Sequence, residues 1–438
     1  MTFAWPSRCK CVIVGLGLGT VLVTGVVAPP VASAATADTG PASPSATDPA
    51  SPAALDRQAL GKTLAAVREA GMYGVYSSVR DGEAAWSGAA GIADVRTGRP
   101  VRPGMLHRVG SVTKSFTAVA ILQQVERGRV DLDAPVARYL PGLVPGELGR
   151  QITVRMLLNH TSGIGDYVEG AFPSLTQGST ASLDDNRFHH FSPEELARFG
   201  LEAPRTGEPG QHWSYSNTNY IIAGLLLEKV TGEPAEQYIT RNVIRRAGLR
   251  DTSFPRTPSI PGPHSKAYES FYGLIDPPRD YSVYDMSWGG TAGAIVSTMD
   301  DLNRFYRALL GGGLLPPAQL AQMLTTVPVT DDQGNVLMNY GLGIYAQDLP
   351  CGRFWGHNGG VFGMGTFSLS SQDGRRQLSL GINLTEYQRF DDNGDLSLHP
   401  IDRALGAHMV QALCGAGTHL AKGTPFVPLP LQRLLVKK

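Results

Sequence analysis

Strand-forming segments stand near both ends of this 438-residue chain, and the long stretch between them reads as helix. At the start, a helix expected over Leu55 to Ala70 ends at Gly71. Tyr73 to Arg80, a turn at Asp81-Gly82, and Glu83 to Ala90 follow it. Asp-Gly between two strand-like runs signals a hairpin, because both central turn residues need positive φ. Near the other end, Tyr340 to Ala346, Arg353 to His357, Phe362 to Leu369 and Gln377 to Leu384 read as short strands, with Asp373-Gly374 as a second hairpin turn. A last helix is expected over Ile401 to Leu413. Two sets of strands with helices between them imply that the ends meet in one layer, from which the middle projects as a helical lobe. The expected fold class is therefore α/β (α+β): an antiparallel sheet flanked by helices and built from both ends of the chain, with an all-helical lobe inserted. Its α/β part should occupy about 55–107 and 290–417, and the lobe about 108–289.

In the middle, Phe116, Val119, Ala120, Leu122 and Val125 repeat at helical spacing before a stop at Gly128. Ser192-Pro193-Glu194-Glu195 has the form of a capping box with proline at the first helical position. Tyr220 to Leu227 is almost wholly apolar, as in a helix buried between layers. Pro234 to Arg246, Asp300 to Leu310 and Pro316 to Leu324 read as further helices. No internal repeat is visible.

Arg8 and Lys10 precede an uncharged apolar stretch from Val12 to Val27; Pro29-Pro30 and Ala32-Ser33-Ala34 follow. These are the parts of a secretory signal peptide, cleaved near Ala34. A membrane anchor is the alternative, but the stretch is short for a hydrocarbon core of about 30 Å. A secreted protein without stable membrane insertion is expected, with a flexible Ala/Pro/Ser/Thr-rich leader over 35–54 and a Pro-rich tail over 421–438. Cys9 and Cys11 would leave with the signal, and two thiols in an oxidising compartment, Cys351 and Cys414, most often form one disulfide. Formal net charge is zero and the basic residues are dispersed, which argues against nucleic acid as a partner.

Three short motifs carry chemistry. Ser111-Val112-Thr113-Lys114 puts an alcohol and an amine one helical turn apart, with the serine at a helix N-terminus where backbone N–H groups favour developing negative charge. A neutral lysine in a dry cleft can take the serine proton when burial lowers its pKa. Chance alone supplies about half a Ser-x-x-Lys match in a chain of this composition. Tyr215-Ser216-Asn217 lies at a loop-to-helix junction about a hundred residues later, and His357-Asn358-Gly359-Gly360 lies on a strand-like segment near the end. Glycines there would let a substrate backbone lie against the strand edge. The three together, in this order, are far rarer than any one.

This set resembles the penicillin-recognising serine hydrolases: class C β-lactamases, secreted D-alanyl-D-alanine carboxypeptidases, and related esterases and D-aminopeptidases. The resemblance extends over His107 to Gly110, Leu157 to Gly163, Tyr215 to Gly232 and Ser287 to Gly293. It implies a β-lactamase/transpeptidase-like fold over 55–420 and a metal-free, cofactor-free acyl-enzyme mechanism. Ser111 would be the nucleophile, and Lys114 and Tyr215 the proton-handling pair. His357 would complete a hydrogen-bond relay to Tyr215, so that a group titrating near neutrality is expected in the pH–rate profile. The backbone N–H groups of Ser111 and Gly360 would form the oxyanion hole, Asn217 would bind the substrate, and Trp288 would wall the cleft. The implied partner is a small peptide, ester or β-lactam, with cell-wall peptidoglycan as the source and a monomer as the working form. A D-alanyl-D-alanine carboxypeptidase is the first reading. An esterase, D-amino-acid amidase or β-lactamase is the second, and a non-catalytic cell-wall sensor the third.

Two departures bear on substrate. Carboxypeptidases of this kind hold the substrate carboxylate with a basic residue and a hydroxyl. The matching positions here are Tyr345, which supplies no charge, and Gly360, which supplies no hydroxyl; Arg353 is the remaining candidate for that carboxylate. His189-His190 lacks further ligand spacing. Asp391-Asp392-Asn393-Gly394-Asp395 lacks the sixth-position glycine and closing glutamate of an EF-hand, so no metal is expected.

Overall fold

The computed structural model describes residues 55–331, 334–391 and 396–415. The expected signal peptide, leader and C-terminal tail, Cys9 and Cys11, and all of the Asp391–Asp395 segment but Asp391 lie outside the described residues.

The expected hairpin forms, but with Gly82 and Glu83 at its centre: Asp81 is the last paired residue of the first strand and lacks the positive φ expected of it. Gly82 adopts φ +57 and joins β1 (Gly74–Asp81) to β2 (Ala84–Asp94), with Asp81 opposite Ala84. A short β3 (Arg99–Pro100) extends this edge. The C-terminal part supplies β4 (Val327–Thr330), β5 (Val336–Tyr340), β6 (Tyr345–Leu349), β7 (Gly352–Val361), β8 (Met364–Ser371) and β9 (Arg376–Ile382). The two ends meet where β1 pairs with β9, from Val75 opposite Ile382 to Asp81 opposite Arg376. The result is one nine-stranded sheet in the order β3-β2-β1-β9-β8-β7-β6-β5-β4, antiparallel throughout. Arg375 and Arg376 each approach Asp81 to 3.0 Å and tie the seam.

Among the described residues six helices have ten residues or more: α1 (Arg57–Glu69), α2 (Thr113–Glu126), α3 (Pro193–Glu202), α4 (Thr218–Thr231), α5 (Met299–Leu310) and α6 (Pro400–Cys414). Strand alternation decides which helices cover which face. Val75, Val79, Leu378, Leu380 and Phe367 form one core with Leu60 and Leu64 of α1 and Leu405 and Met409 of α6. The opposite face meets α5 and, behind it, the lobe, with Phe305 of α5 sharing one core with Phe116, Ile221 and Leu226. With both faces covered, β9 is buried along its whole length. Each fully buried side chain of this kind contributes about 1.5–3 kcal/mol. At the α5 contact the sheet is polar and satisfied: Asn303 donates to Ser78 and accepts from Ser379, while its carbonyl accepts from Gln377.

Two helices are sealed on every side. α2 is buried from Thr113 to Gln124 and α4 from Thr218 to Leu227, which accounts for their lack of a polar stripe. Ser192 caps α3 by accepting from the N–H of Glu195 at 3.1 Å. Cys351, in the turn between β6 and β7, is bonded to Cys414 at the end of α6. No described helix is long and apolar enough to cross a membrane.

Three expectations change. The strand expected over 340–346 is two strands with a turn over 341–344. Gly343 has φ +69 there, and a Cβ would lie 2.7 Å from that of Ala118 and 2.9 Å from the carbonyl of Lys114. Close packing against α2 therefore bends the chain where alternation alone reads straight. The helix expected over 234–246 is α-helical only over Ala235–Ile239 and widens to a π-turn over Thr240–Ile244. Strand β4 had no counterpart among the expected elements; its short Val-Pro-Val-Thr carries little periodic signal.

Candidate active site

The chain reaches α2 through a two-residue ribbon, His107–Arg108 paired with Val296–Ser297. The Val109 N–H donates to the carbonyl of Ile295 at 2.9 Å, and a 3-10 turn over Gly110–Val112 then leads into the helix. Gly110 holds φ +54, and a Cβ on it would lie 2.7 Å from the backbone nitrogen of Gly360. A Cβ on Gly359 would lie 2.0 Å from the carbonyl oxygen of Val109 and 2.8 Å from the nitrogen of Ser111. These glycines serve a purpose other than the one the sequence suggested. Gly110 and Gly359 let the turn bearing Ser111 press onto β7, while only Gly360 faces open space. β6 pairs with β7 no further than Gly356, so the stretch beyond it has no strand partner on that side. The backbone nitrogens of Ser111 and Gly360 thereby come to the same corner.

Lys114 is fully buried, and its Nζ contacts three oxygens: Ser111 Oγ at 3.0 Å, Asn217 Oδ1 at 2.7 Å and the carbonyl of Ala292 at 2.9 Å. An amide oxygen and a carbonyl oxygen only accept. In the neutral amine they take both N–H groups, which leaves the lone pair for the hydroxyl of Ser111. Burial pushes Lys114 down to about 7, against the opposing pull of the Asp166 charge. The amine is thus available as a base near neutral pH.

Tyr215 closes the other side. Its ring centroid lies 4.9 Å from Lys114 Nζ. Burial pushes its phenol up, and the nearby Ser111 hydroxyl pulls it partly back. The Tyr215 hydroxyl is sealed from solvent without a partner at hydrogen-bonding geometry, so its approach to Ser111 stops short of a formed bond.

His357 departs from expectation. Its ring is fully buried; Nε2 lies 2.8 Å from the Tyr340 hydroxyl and Nδ1 faces the carbonyl of Asn358. The carbonyl can only accept, so Nδ1 carries the proton and Nε2 accepts from Tyr340. Both nitrogens are engaged and neither bonds Tyr215, so the expected relay from His357 to Tyr215 is absent. The near-neutral titration is withdrawn with it: burial, followed by the charge of Lys114, pushes the ring down to about 3.

Asn217 is 4% exposed, and its amide lies between Lys114 and Asp166 rather than toward open space. Trp288 is 4% exposed within an aromatic cluster, with ring centroids 5.0 Å from Phe362, 5.6 Å from Phe172 and 6.3 Å from Tyr284. Arg353 is spent at the surface in a two-point pair with Asp348, at 2.7 and 2.8 Å. Tyr345 is 5% exposed. His190 makes an exposed pair with Asp285 at 3.3 Å. No described cluster of three or more His, Cys, Asp or Glu side chains could hold a metal ion.

Three neighbours went unassigned in the sequence. Asp166 and Tyr340 have been met above. His160 lies with its ring 4.3 Å from that of Tyr215 and accepts at Nδ1 from the N–H of Ser216 at 3.2 Å. Its Nε2 has no partner, and burial holds the ring well below the usual imidazole range. His160 stood inside the matched run Leu157 to Gly163, which was the only available signal. Asp166 had none.

Known proteins are similar to this chain to differing extents. Esterase EstB of Burkholderia gladioli is 36% identical over 211 residues, 46% of this chain and 53% of that esterase, so the chain matches about half the length of this curated relative. Penicillin-binding protein 4* of Bacillus subtilis (strain 168) is 26% identical over 364 residues, 81% of this chain and 73% of that protein. A solved D-stereospecific amidohydrolase from Streptomyces sp. superposes with a TM-score of 0.71 at 36% identity, covering 83% of this chain and 100% of its own. The family model described as Beta-lactamase matches residues 57–373. With its antiparallel sheet, helical lobe and this match over most of its length, the chain belongs to the Beta-lactamase family of serine hydrolases.

Proposed function

We propose that this protein hydrolyses small amides and esters of D-configured acyl groups through an acyl-enzyme on Ser111. The observation that carries this reading is the lone pair of Lys114, left to the Ser111 hydroxyl by two obligate acceptors. Lys114 takes the serine proton as the hydroxyl attacks the substrate carbonyl. The N–H groups of Ser111 and Gly360 receive the oxyanion. Tyr215, whose hydroxyl has no other partner, hands its proton to the leaving group as it receives the serine proton from Lys114, which leaves both groups neutral; Tyr215 then orients water, whose proton Lys114 takes, for deacylation. His357 buttresses β7 as a neutral ring.

Substrate preference follows from charge. A carboxypeptidase must hold a free carboxylate, yet Tyr345 and Gly360 bring no cation and Arg353 is paired with Asp348. This favours substrates without a terminal carboxylate over the D-alanyl-D-alanine peptide. The likeness to the D-stereospecific amidohydrolase supports the same choice. Export is part of the proposal, supported by the Arg8-to-Ala34 pattern and by the Cys351–Cys414 bond. The test compares D-phenylalanine p-nitroanilide, p-nitrophenyl acetate, a D-alanyl-D-alanine tripeptide and a cephalosporin side by side. Faster turnover of the anilide and ester is expected. Preferred cleavage of the tripeptide would return the carboxypeptidase reading.

A further inference from the structure

Asp166 makes no hydrogen bond to Ser111, yet what Lys114 does depends on what lies beside it. The residue is partly buried, and burial pushes its carboxyl up against the opposing pull of its N–H donors and of Lys114. Its Oδ2 accepts from the backbone N–H of Asn217 at 3.0 Å and from the Asn217 Nδ2 at 2.8 Å, and its Oδ1 accepts from the N–H of Val168 at 3.1 Å. Three N–H donors on two oxygens match a carboxylate, which only accepts. Which end of an Asn amide faces which partner is decided by its hydrogen-bond network. Here the amino end of Asn217 must face Asp166, so the oxygen must face Lys114. A flipped Asn217 would offer the amine an N–H instead, capture its lone pair and turn the base away from Ser111.

We propose that Asp166 is the positioning residue of this site, acting through Asn217 to aim the lone pair of Lys114 at Ser111 and supplying the negative charge beside the amine. The proposal rests on the acyl-enzyme reading above for its catalytic meaning. The loop carrying Asp166 is fixed for that task. Ser216 and Thr218 donate their hydroxyls to the carbonyl of Gly165 at 2.9 and 2.7 Å, and the Tyr167 N–H donates to the Thr218 hydroxyl at 3.0 Å. The other titratable groups around Lys114 are the Tyr215 and Tyr220 phenols at the start of α4, the His160 ring, and the His357 ring on β7. Both histidines are held neutral by burial, so Asp166 is the anionic partner that opposes the desolvation of Lys114.

A simpler role would be to cap the short helix that starts at Val168, and the test separates the two. The midpoint of Lys114 is read by NMR of 13Cε-labelled lysine, which needs no turnover, alongside the acidic limb of kcat/KM for p-nitrophenyl acetate. Asp166→Asn should move both midpoints down by about one pH unit, because the amine loses its stabilising anion. Asp166→Ala, which also frees Asn217 to flip, should lower kcat by roughly ten- to a hundredfold with little change in KM. A Lys114 midpoint in Asp166→Asn that coincides with the wild type, with only thermal stability reduced, would leave capping as the sole role and overturn the proposal. Should that variant not fold, the 13Cγ resonance of Asp166 in the wild type must inflect at the Lys114 midpoint, and a flat trace there would overturn it equally. A shifted lysine midpoint in a protein that turns over no ester or amide would keep this assignment while removing the hydrolase reading.

Discussion

Replacing Lys114 with methionine removes the base and also changes stability in a way that depends on pH. Burial takes the amine from 10.5 to about 7. At 1.36 kcal/mol per pH unit this is about 5 kcal/mol of opposition to folding when both states are protonated. The folded pKa lies below the unfolded one, so the penalty is complete below pH 7. Between 7 and 10.5 the unfolded chain keeps a proton that the folded protein lacks, and wild-type stability rises with pH until the penalty disappears. Lys114→Met has no such dependence at this position. It leaves the oxygens of Asn217 and Ala292 without their donor and the Ser111 hydroxyl without its acceptor, at a cost of about 1–3 kcal/mol each. None of those groups titrates, so their loss offsets the gain equally at every pH. The difference in unfolding free energy, variant minus wild type, should therefore be about 3 kcal/mol more favourable at pH 6 than at pH 9. Urea unfolding of both proteins at the two pH values, followed by circular dichroism, measures it. A difference that stays constant within about 1 kcal/mol would mean that Lys114 is not depressed, and the base assignment would lose its physical ground.

His357→Gln should leave the acidic limb of kcat/KM near pH 7, since that limb belongs to Lys114; its disappearance in pH profiles of the variant would restore His357 to the proton relay. Gly359→Ala should lower kcat/KM at least a hundredfold in ester hydrolysis, because the new methyl would push β7 off the Val109 carbonyl and the Ser111 nitrogen. Wild-type rates in that variant would show that β7 does not need to touch the nucleophile turn.

Much of this was legible in advance because it is local. Asp81-Gly82 and Asp373-Gly374 mark the two hairpins through their glycines, which hold φ +57 and +68, although neither aspartate takes the positive φ expected of it. Ser111 and Lys114 meet because a helical turn brings residues three apart together. The unbroken apolar run of α4 announced a helix covered on all sides. What escaped depends on contacts between distant segments. The bend at Gly343 exists only because α2 lies against it, and the aspartate at 166 gains its meaning from Asn217, 51 residues on. His357 was misjudged for the same reason. Its type and strand suggested a titrating group, whereas Tyr340 and the Asn358 carbonyl hold both nitrogens of a ring that is itself fully buried.

The central claim is that an acyl group passes through Ser111. Rapid quenching of the wild-type protein with p-nitrophenyl acetate or benzylpenicillin, followed by intact mass spectrometry and peptide mapping, tests it directly. One covalent adduct on the peptide containing Ser111, absent from Ser111→Ala, is the expected result. Steady turnover with no adduct, or with an adduct on another residue, would contradict it.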